Sequence, residues 1–308
     1  MIVLITGICG FIGHNLALYL YRRGYRVIGI DNFRRSNPRA IELLRDIGVE
    51  VHNVDTRDYK NIKKLLRDVD VVVHAAAYID VYESFENPIL YADNNVVGTV
   101  SLAKACIDNS VDRIIYLSSA AVYGEPIKLP ITEDHPCRPI SPYGVSKYSS
   151  ELFIKSLSKV YRLRYVILRL FNVYGPGQEY SSYSGVIVKF ITRICRDKAP
   201  VIYGDGEQTR DFVYIDDVVR AIESSIKTKY VNEVFNIATS KPTKIKDLAY
   251  LIMKLCNKNL KPIYVRPRSH EIRHSYADIS KARRLLGYEP TVDLELGIRY
   301  LLKYICNS

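Results

Sequence analysis

The sequence has no tryptophan, only six cysteines among 308 residues, and no long uncharged apolar run. The cysteines are far apart and form no C-x-x-C pair, which argues against a zinc site and a disulfide framework. We therefore expect reduced thiols and no metal. The most apolar stretch, residues 69–77, contains Asp70 and His74. It is far shorter than the ~20 residues that span a bilayer, so no membrane segment is expected.

Acidic residues are in deficit, since 44 Lys and Arg against 33 Asp and Glu give 44 − 33 = +11. A positive chain favours anionic partners, either nucleic acid or a nucleotide diphosphate. The basic residues are dispersed and form no block of five, which is typical of a solvated surface. We therefore expect no nucleic-acid partner. The chain runs directly into an apolar strand and a glycine motif without a basic leader, so we expect a cytoplasmic protein.

Apolar runs of β type alternate with helix-period segments in the first half of the chain. The predicted strands are residues 2–5, 26–30, 50–54, 69–74, 113–117 and 165–170. The predicted helices begin near Phe11 and then cover residues 39–46, 59–66, 88–109 and 142–160. Because the strands are apolar throughout, we predict an α/β fold whose doubly wound parallel sheet is covered on both faces.

The alternation loosens after residue 170, where residues 172–185 are interpreted as a loop because they are rich in Gly, Ser, Tyr and Pro. Further predicted elements are helices at 186–196, 215–226, 246–256, 279–286 and 294–305, and strands at 201–203 and 234–237. We predict a first domain over residues 1–170, to which 211–238 return. Residues 171–210 and 239–308 would form a smaller, interleaved substrate-binding lobe.

A glycine motif follows the first strand, with Gly7, Gly10 and Gly13 at its ends and centre. Glycine permits the tight turn, the close approach of a pyrophosphate and the packing of helix on strand. The helix that opens with Phe11 and Ile12 would point free N–H groups at the phosphates. The motif therefore predicts a dinucleotide site in a Rossmann-type domain over residues 1–170.

Asp31 closes the second strand, 31 − 13 = 18 residues after the last glycine. A carboxylate there accepts both ribose hydroxyls of adenosine and repels a 2′-phosphate, which favours NAD over NADP. Arg34 and Arg35 keep NADP open, because either could pair with a 2′-phosphate. Asp55 ends the third strand, where it could meet the adenine amino group or cap a loop.

A catalytic constellation is predicted from Ser119, which follows the fifth strand, and from Tyr143 and Lys147, which begin 143 − 119 = 24 residues later. Positions i and i+4 share one helix face, so Lys147 can lie beside Tyr143. A free tyrosine has a pKa of about 10. A neighbouring ammonium and a cationic nicotinamide stabilise the phenolate, which then serves as a base near neutral pH. Ser119 can donate a hydrogen bond to the reacting oxygen, and Lys147 can hold a ribose hydroxyl.

Several further motifs occur in order along the chain. They are Thr6-Gly-x-x-Gly-Phe-Ile-Gly13, Asp31-Asn32, His74-Ala-Ala-Ala77, Asn94-Asn95-Val-Val-Gly-Thr99, Leu117-Ser-Ser-Ala-Ala-Val-Tyr-Gly124, Ser141-Pro-Tyr-Gly-Val-Ser-Lys147, Leu168-Arg-Leu-Phe-Asn-Val-Tyr-Gly-Pro176, Gly204-Asp-Gly-Glu-Gln-Thr-Arg-Asp-Phe212 and Tyr276-Ala-Asp-Ile-Ser-Lys-Ala282. This ordered set resembles the extended short-chain dehydrogenase/reductase family, of the UDP-glucose 4-epimerase type.

The resemblance implies roles for many of these residues. Ser119, Tyr143 and Lys147 match the catalytic positions. The implied cofactor-binding residues are Gly7, Gly10, Phe11, Ile12, Gly13, Asp31, Asn32, Asp55, Ala75, Ala76, Ala77, Asn95, Ser118, Tyr143 and Lys147. The implied substrate-binding residues are Ser119, Asn172, Val186, Tyr203, Arg210, Arg268 and Ser275.

Within the substrate set, the resemblance assigns Asn172 and Arg210 to the sugar-nucleotide diphosphate and Tyr203 to the uracil. The family usually has Arg-Pro-Gly-Asp late in the chain, where this sequence reads Arg268-Ser-His-Glu271. We carry the second diphosphate arginine onto Arg268, with Arg266 and Arg273 as rivals. Counting 275 − 268 = 7 residues further places Ser275 at the position that gates the sugar pocket.

The function implied by the resemblance is NAD-dependent 4-epimerisation of a UDP-hexose, with or without an N-acetyl group, through a 4-keto intermediate. A UDP-uronic acid 4-epimerase or another nucleotide-sugar oxidoreductase or dehydratase is the alternative. Related dehydratases and decarboxylases carry acidic residues where this chain has Ala120 and Ala121. A non-catalytic NAD(P)- or RNA-binding relative is the reading from a different class. The family also implies a homodimer, formed through residues 88–109 and 142–160.

Overall fold

Strands and helices alternate along the chain in the computed structural model, which describes residues 1–178, 185–268 and 271–306. The strands are β1 (Ile2–Thr6), β2 (Arg26–Asp31), β3 (Glu50–Asn53), β4 (Val71–His74), β5 (Arg113–Ser119), β6 (Arg164–Leu170), β7 (Asn172–Tyr174), β8 (Val201–Tyr203), β9 (Thr209–Tyr214), β10 (Glu233–Ile237), β11 (Pro242–Lys244), β12 (Ile263–Val265) and β13 (His274–Ser275). The α-helices are α1 (Phe11–Arg22), α2 (Pro38–Asp46), α3 (Tyr59–Leu65), α4 (Val81–Glu86), α5 (Pro88–Tyr91), α6 (Gly98–Asp108), α7 (Pro142–Val160), α8 (Val186–Ile194), α9 (Ile215–Lys227), α10 (Ile245–Leu255), α11 (Ser280–Leu286) and α12 (Leu294–Cys306).

Within the described residues, the main sheet has seven parallel strands in the order β10-β6-β5-β4-β1-β2-β3. In β1, Val3 lies in register with Val27 of β2 on one side and with Val71 of β4 on the other. The strand order therefore reverses direction at β1. In open parallel sheets a ligand crevice forms outside the carboxyl ends of the strands at such a reversal.

Apolar side chains are buried on both faces of this sheet. Val3 and Ile5 belong to one core with residues of α1 and α9, whereas Leu4 belongs to a second core with residues of α3, α6 and α7. Successive side chains of a strand point to opposite faces, so each strand contributes to both cores. The predicted doubly wound sheet is confirmed.

A smaller region follows β6. Its strand β9 pairs with β7, β11 and β13, and β8 pairs with β12. The chain then returns to the main sheet, where β10 pairs in parallel with β6. Strand β7 begins directly after the carboxyl end of β6 and pairs with β9, so the smaller region starts at the carboxyl edge of the main sheet. Among the described residues, no helix is both long and apolar enough to cross a bilayer.

The helix predicted over 88–109 is interrupted. Residues Ala92–Val97 between α5 and α6 adopt a π-helix, which places Asn94 and Asn95 in the interior. There the Asn95 amide nitrogen donates to the Tyr78 carbonyl at 3.0 Å and to the Ser146 hydroxyl at 2.9 Å. An apolar repeat does not reveal such a widened turn, because buried polar contacts with distant residues stabilise it.

The loop predicted over 172–185 begins as strand β7, and residues 179–184 lie outside the described part of the chain. Strands β9, β11, β12 and β13 and the short helix α4 were also not predicted. Each of these strands is at most six residues long and pairs with a segment distant in sequence. Short runs of this kind carry little periodicity of their own.

Candidate active site

The glycine motif forms a tight turn between β1 and α1 at the strand reversal. Gly7 has φ 64°, and a Cβ added to it would lie 2.8 Å from the Ala76 Cα. A Cβ on Gly13 would lie 2.2 Å from the Gly7 carbonyl oxygen. The N-terminus of α1 has no side-chain cap and no acidic residue in its first turn. This leaves backbone N–H groups and a positive dipole end for an anion.

A cleft extends from this turn along the ends of β1, β2 and β4. Its described lining includes the predicted residues Gly7, Gly10, Asp31, Asn32, Ala75, Ala76 and Ala77. Phe11, Ile12 and Gly13 form the first turn of α1 beside it. Sequence reasoning gave no cofactor role to five other lining residues, Ile30, Val54, Thr56, Tyr78 and Asn94. Of these, only Asn94 stands in one of the motifs that carry the resemblance. The glycine turn and the uncapped N-terminus of α1 suit a pyrophosphate, and the Asp31 carboxylate suits ribose hydroxyls. The cleft therefore fits a dinucleotide.

The Asp31 carboxylate is fixed at the end of β2. It accepts hydrogen bonds from the Cys9 N–H at 3.0 Å, the Phe33 N–H at 2.9 Å and the Ser36 hydroxyl at 2.8 Å. Arg35 lines the same cleft, but its guanidinium donates to Glu83 at 2.7 Å in a two-pronged contact. That arginine is therefore not directed at a 2′-phosphate, in keeping with the preference for NAD.

The Asp55 carboxylate is hydrogen-bonded to neighbouring side chains. Its carboxylate accepts two side-chain hydrogen bonds from Arg57, at 2.8 and 2.7 Å, and one from the Asn32 amide at 2.9 Å. The bonds from Arg57 hold the pKa of Asp55 well below its usual range. Asp55 also accepts from the Arg57 backbone N–H at 3.0 Å, which is the loop-capping alternative.

The predicted catalytic residues come together where β5 ends beside the first turns of α7. Ser141 caps α7 by accepting from the Gly144 N–H at 3.1 Å, and Tyr143 and Lys147 follow on its buried face. A Cβ on Gly144 would lie 2.6 Å from the Ala121 carbonyl oxygen. The glycine after Tyr143 therefore lets the helix approach the turn that follows Ser119.

Burial dominates the ionisation of this group in the protein alone. It raises the pKa of Tyr143, whereas a hydrogen bond with the Ser119 side chain lowers that pKa by a smaller amount. Burial also lowers the pKa of Lys147 to about 7, with the Glu151 carboxylate opposing it. The Lys147 ammonium lies 4.3 Å from the centre of the Tyr116 ring, a cation–π contact that replaces part of its lost hydration.

Glu151 anchors the same helix to the sheet. Its buried carboxylate accepts from Arg169 at 3.0 and 2.8 Å and from the Ser118 hydroxyl at 2.6 Å. The hydroxyl of Ser118, predicted to bind cofactor, is thus directed at Glu151. Asn95, also predicted at the cofactor, bonds Tyr78 and Ser146 and ties the cleft wall to α7.

Most of the predicted substrate residues lie in the smaller region. The Arg268 guanidinium lies 3.8 Å from the centre of the Tyr203 ring and 4.6 Å from that of Tyr82. Arg210 donates to Glu271 at 3.1 Å, and its residue in β9 pairs directly with Ser275 of β13, which is buried.

The rival arginines are placed differently. Arg273 forms a two-pronged ion pair with Asp205, at 2.7 Å for both contacts, and is half exposed. Arg266 is exposed, as is Asn172, whereas Val186 is half-buried at the start of α8. Residues 269–270, in the middle of the altered motif, lie outside the described residues.

This chain resembles an epimerase/dehydratase family model and three solved structures of epimerases. The family model "NAD dependent epimerase/dehydratase family" matches residues 3–238. A UDP-glucose 4-epimerase structure from Thermotoga maritima, with UDP-glucose, is 34% identical with a TM-score of 0.95, covering 100% of this chain and 99% of that one. A UDP-N-acetylglucosamine 4-epimerase from Methanobrevibacter ruminantium is 36% identical with a TM-score of 0.93, covering 99% and 98%. A UDP-glucuronic acid 4-epimerase from Bacillus cereus, with UDP-glucuronic acid and NAD, is 35% identical with a TM-score of 0.93, covering 100% and 99%.

The buried lysine makes a pH-dependent contribution to stability. Lys147 titrates near pH 7 in the folded protein but near 10.5 without burial, so the unfolded chain binds more protons between these values and stability rises across them. The penalty for burying its charge is therefore largest below pH 7. We expect Lys147→Met to raise the Tm of the cofactor-free protein at about pH 6, and the gain to shrink towards about pH 10.

Thermal unfolding followed by circular dichroism at the two pH values checks this expectation. Lys159→Met, on the exposed side of the same helix, is the matched control and should show no comparable pH dependence. An equal Tm gain for Lys147→Met at both pH values would contradict the assignment of a buried charge.

Proposed function

The chain belongs to the NAD dependent epimerase/dehydratase family, and from this premise we propose that it catalyses the 4-epimerisation of a UDP-hexose with NAD as cofactor. The observation that carries the proposal is one juxtaposition. Tyr143 is hydrogen-bonded to Ser119 and belongs to one buried cluster with Tyr78, which lines the dinucleotide cleft. Arg268 lies against Tyr82, which is on the helix α4 that packs on α7.

The residues of the cleft would hold NAD in a defined direction. Gly7, Gly10 and the N-terminus of α1 would take the pyrophosphate, and Asp31 the adenosine ribose. Ala75, Ala76 and Ala77 offer a narrow apolar wall, and Lys147 would hold the other ribose. When bound, NAD supplies a hydride acceptor for C4 of the sugar and a positive charge beside Tyr143.

Tyr143 is proposed as the proton acceptor for the 4-hydroxyl of the sugar. Burial keeps its phenol neutral in the protein alone, so its activation depends on positive charge in the assembled site. Lys147 carries such a charge over part of the neutral range, because its pKa lies near 7. Ser119 would donate to the same sugar oxygen and hold it within reach of the phenolate.

The smaller region would bind the UDP moiety. Arg268 and Arg210 supply guanidinium groups, which suit a diphosphate because they donate in a fixed planar fork. Arg210 is bonded to Glu271 in the free protein, so a diphosphate would replace a carboxylate at that guanidinium. Strong binding at UDP leaves the sugar free to turn over between the two hydride transfers.

The residues that follow Ser119 favour epimerisation over the other reactions of this family. Ala120 and Ala121 carry no acidic group, so elimination of water or loss of carbon dioxide has no acid or base at these positions.

A UDP-uronic acid is the second candidate substrate. It is favoured by the 35% identity to the Bacillus cereus UDP-glucuronic acid 4-epimerase over the whole chain.

Proton NMR of the purified protein with NAD tests the proposal. UDP-galactose, UDP-N-acetylgalactosamine and UDP-glucuronate are supplied separately, and we expect the 4-epimer of at least one of the first two to appear. Tyr143→Phe should reduce turnover by roughly a hundredfold or more, because it removes the general base but leaves the cofactor cleft intact.

Epimerisation of UDP-glucuronate alone would replace the proposed substrate with the second candidate. Turnover of none of the three sugars with NAD bound, or near-full activity in Tyr143→Phe, would contradict the proposed function. In the first case, the non-catalytic NAD- or RNA-binding reading would gain support.

Ser275 is proposed to set the size of the sugar pocket. It is buried and lies directly beside Arg210, and its small side chain leaves room for a 2-acetamido group. We expect Ser275→Tyr to lose the N-acetylhexosamine substrate before the plain hexose, measured as the ratio of the two kcat/KM values. Ser275→Ala is the control that should keep both, and equal loss of both in Ser275→Tyr would reject this gate.

A homodimer is proposed through the outer faces of α5 and α7. Ile89 is 83% exposed, and Val145, Leu152 and Phe153 are each between 46% and 49% exposed. Large apolar side chains grouped in this way mark an interaction surface.

We expect a dimer mass in light scattering and a monomer for Leu152→Glu combined with Phe153→Glu. Tyr250→Glu, at an exposed site on α10, should remain dimeric. A monomeric wild type would contradict the proposal.

A further inference from the structure

Glu83 lies on the short helix α4, beside the mouth of the cofactor cleft. Its side chain is 16% exposed, and its carboxylate makes contacts in two directions. Towards the cleft it accepts a two-pronged contact from Arg35, one arm of which measures 2.7 Å. Away from the cleft it accepts a hydrogen bond from the Tyr91 hydroxyl at 2.8 Å. One carboxylate therefore connects the edge of the cleft with the protein interior.

The Arg35 side of this contact closes part of the cleft edge. Both Arg35 and Tyr78 line the cleft, and the guanidinium lies 4.0 Å from the centre of the Tyr78 ring. The Arg35 guanidinium is thus held by the face of the Tyr78 ring and by the Glu83 carboxylate. A two-pronged Arg–carboxylate contact resists displacement more than a single ion pair does, because two charge-assisted hydrogen bonds must break together.

The Tyr91 side reaches the catalytic tyrosine. Tyr91 is fully buried, and its ring centre lies 6.4 Å from that of Tyr143 with the planes at 84°, an edge-to-face pair. The Tyr78 ring centre lies 5.9 Å from that of Tyr91, and the three tyrosines form one buried cluster. The ring of Tyr91 therefore forms part of the buried surface against which the Tyr143 ring packs. Its hydroxyl is the only polar group on that ring, and it is held by Glu83.

We propose that Glu83 is a positioning residue of the active site, joining Arg35 at the cleft edge to Tyr91 behind Tyr143. Through Arg35 it slows release of the dinucleotide, and through Tyr91 it fixes the ring of the catalytic base. This inference rests on the proposed function for its second half, and its first half concerns cofactor binding only.

Three variants separate the two roles, and one serves as a matched control. Arg35→Met removes the guanidinium at the cleft edge, Tyr91→Phe removes the hydroxyl behind Tyr143, and Glu83→Ala removes the carboxylate that accepts from both. Glu289→Ala is the control, because Glu289 forms an equally two-pronged contact with Arg283 at 2.9 and 2.8 Å on the exposed surface. The release rate of bound NAD is measured by displacement without any sugar. The kcat and KM for the UDP-sugar are measured with NAD in excess.

We expect NAD release to be about tenfold faster in Arg35→Met and Glu83→Ala, the size expected when one or two charge-assisted hydrogen bonds are lost. Tyr91→Phe should release NAD at the wild-type rate but lower kcat by roughly threefold to tenfold with little change in KM, since the arginines that hold UDP are untouched. Glu83→Ala should show both effects, and Glu289→Ala neither.

Wild-type NAD release in both Arg35→Met and Glu83→Ala, or wild-type kcat in Tyr91→Phe, would overturn the proposal. A rise in KM together with a fall in kcat and unaltered NAD release would indicate a general structural role instead, which would also reject the proposal. A wild-type protein that turns over no UDP-sugar would reject the proposed function, whereas the release rates would still decide the role of Glu83 at the cofactor. Because Arg35→Met and Tyr91→Phe leave the carboxylate in place, misfolding of Glu83→Ala would not remove the test.

Discussion

The buried ion pair between Glu151 and Arg169 holds α7 against the central sheet, and the geometry of the reactive residues depends on it. The same carboxylate accepts from Ser118 at the end of β5, so helix, β5 and β6 are joined at one point. On the same buried face, Lys147 lies one helical turn before Glu151 and Tyr143 lies about two turns before it. A charge buried without its partner is very costly, so α7 cannot slide or rotate without breaking this contact.

This constraint divides the site into a dry end and a charged end. At the dry end, burial moves the pKa values of Tyr143 and Lys147 in opposite directions, so both neutral forms are favoured in the free protein. At the charged end, the Arg210 guanidinium donates to Glu271, and the Arg268 guanidinium lies against the rings of Tyr82 and Tyr203. Electrostatic interactions are stronger away from water, so a positive charge delivered by a bound cofactor would act strongly on the buried tyrosine.

Much of this arrangement could be predicted from the sequence, because some signals are local. The glycine spacing required a tight turn before a helix, and the i, i+4 spacing of Tyr143 and Lys147 required one shared helix face. The π-helix at Ala92–Val97 and the ties made by Glu83 could not be predicted in this way. Arg35 and Glu83 are 48 residues apart, and no periodicity connects them. The hydroxyl of Ser118, next to a predicted catalytic serine, turned to Glu151 because strand neighbours point to opposite faces.

The sequence by itself determined the parallel sheet, its apolar strands, the glycine turn after β1 and the shared helix face of Tyr143 and Lys147. Each of these follows from steric or periodic rules that operate within a few residues. Only the tertiary structure decided which arginine lies between two tyrosine rings, which carboxylate pairs with which cation, and which polar groups are buried. Those outcomes depend on desolvation and on contacts between distant segments, and both exist only once the chain has folded.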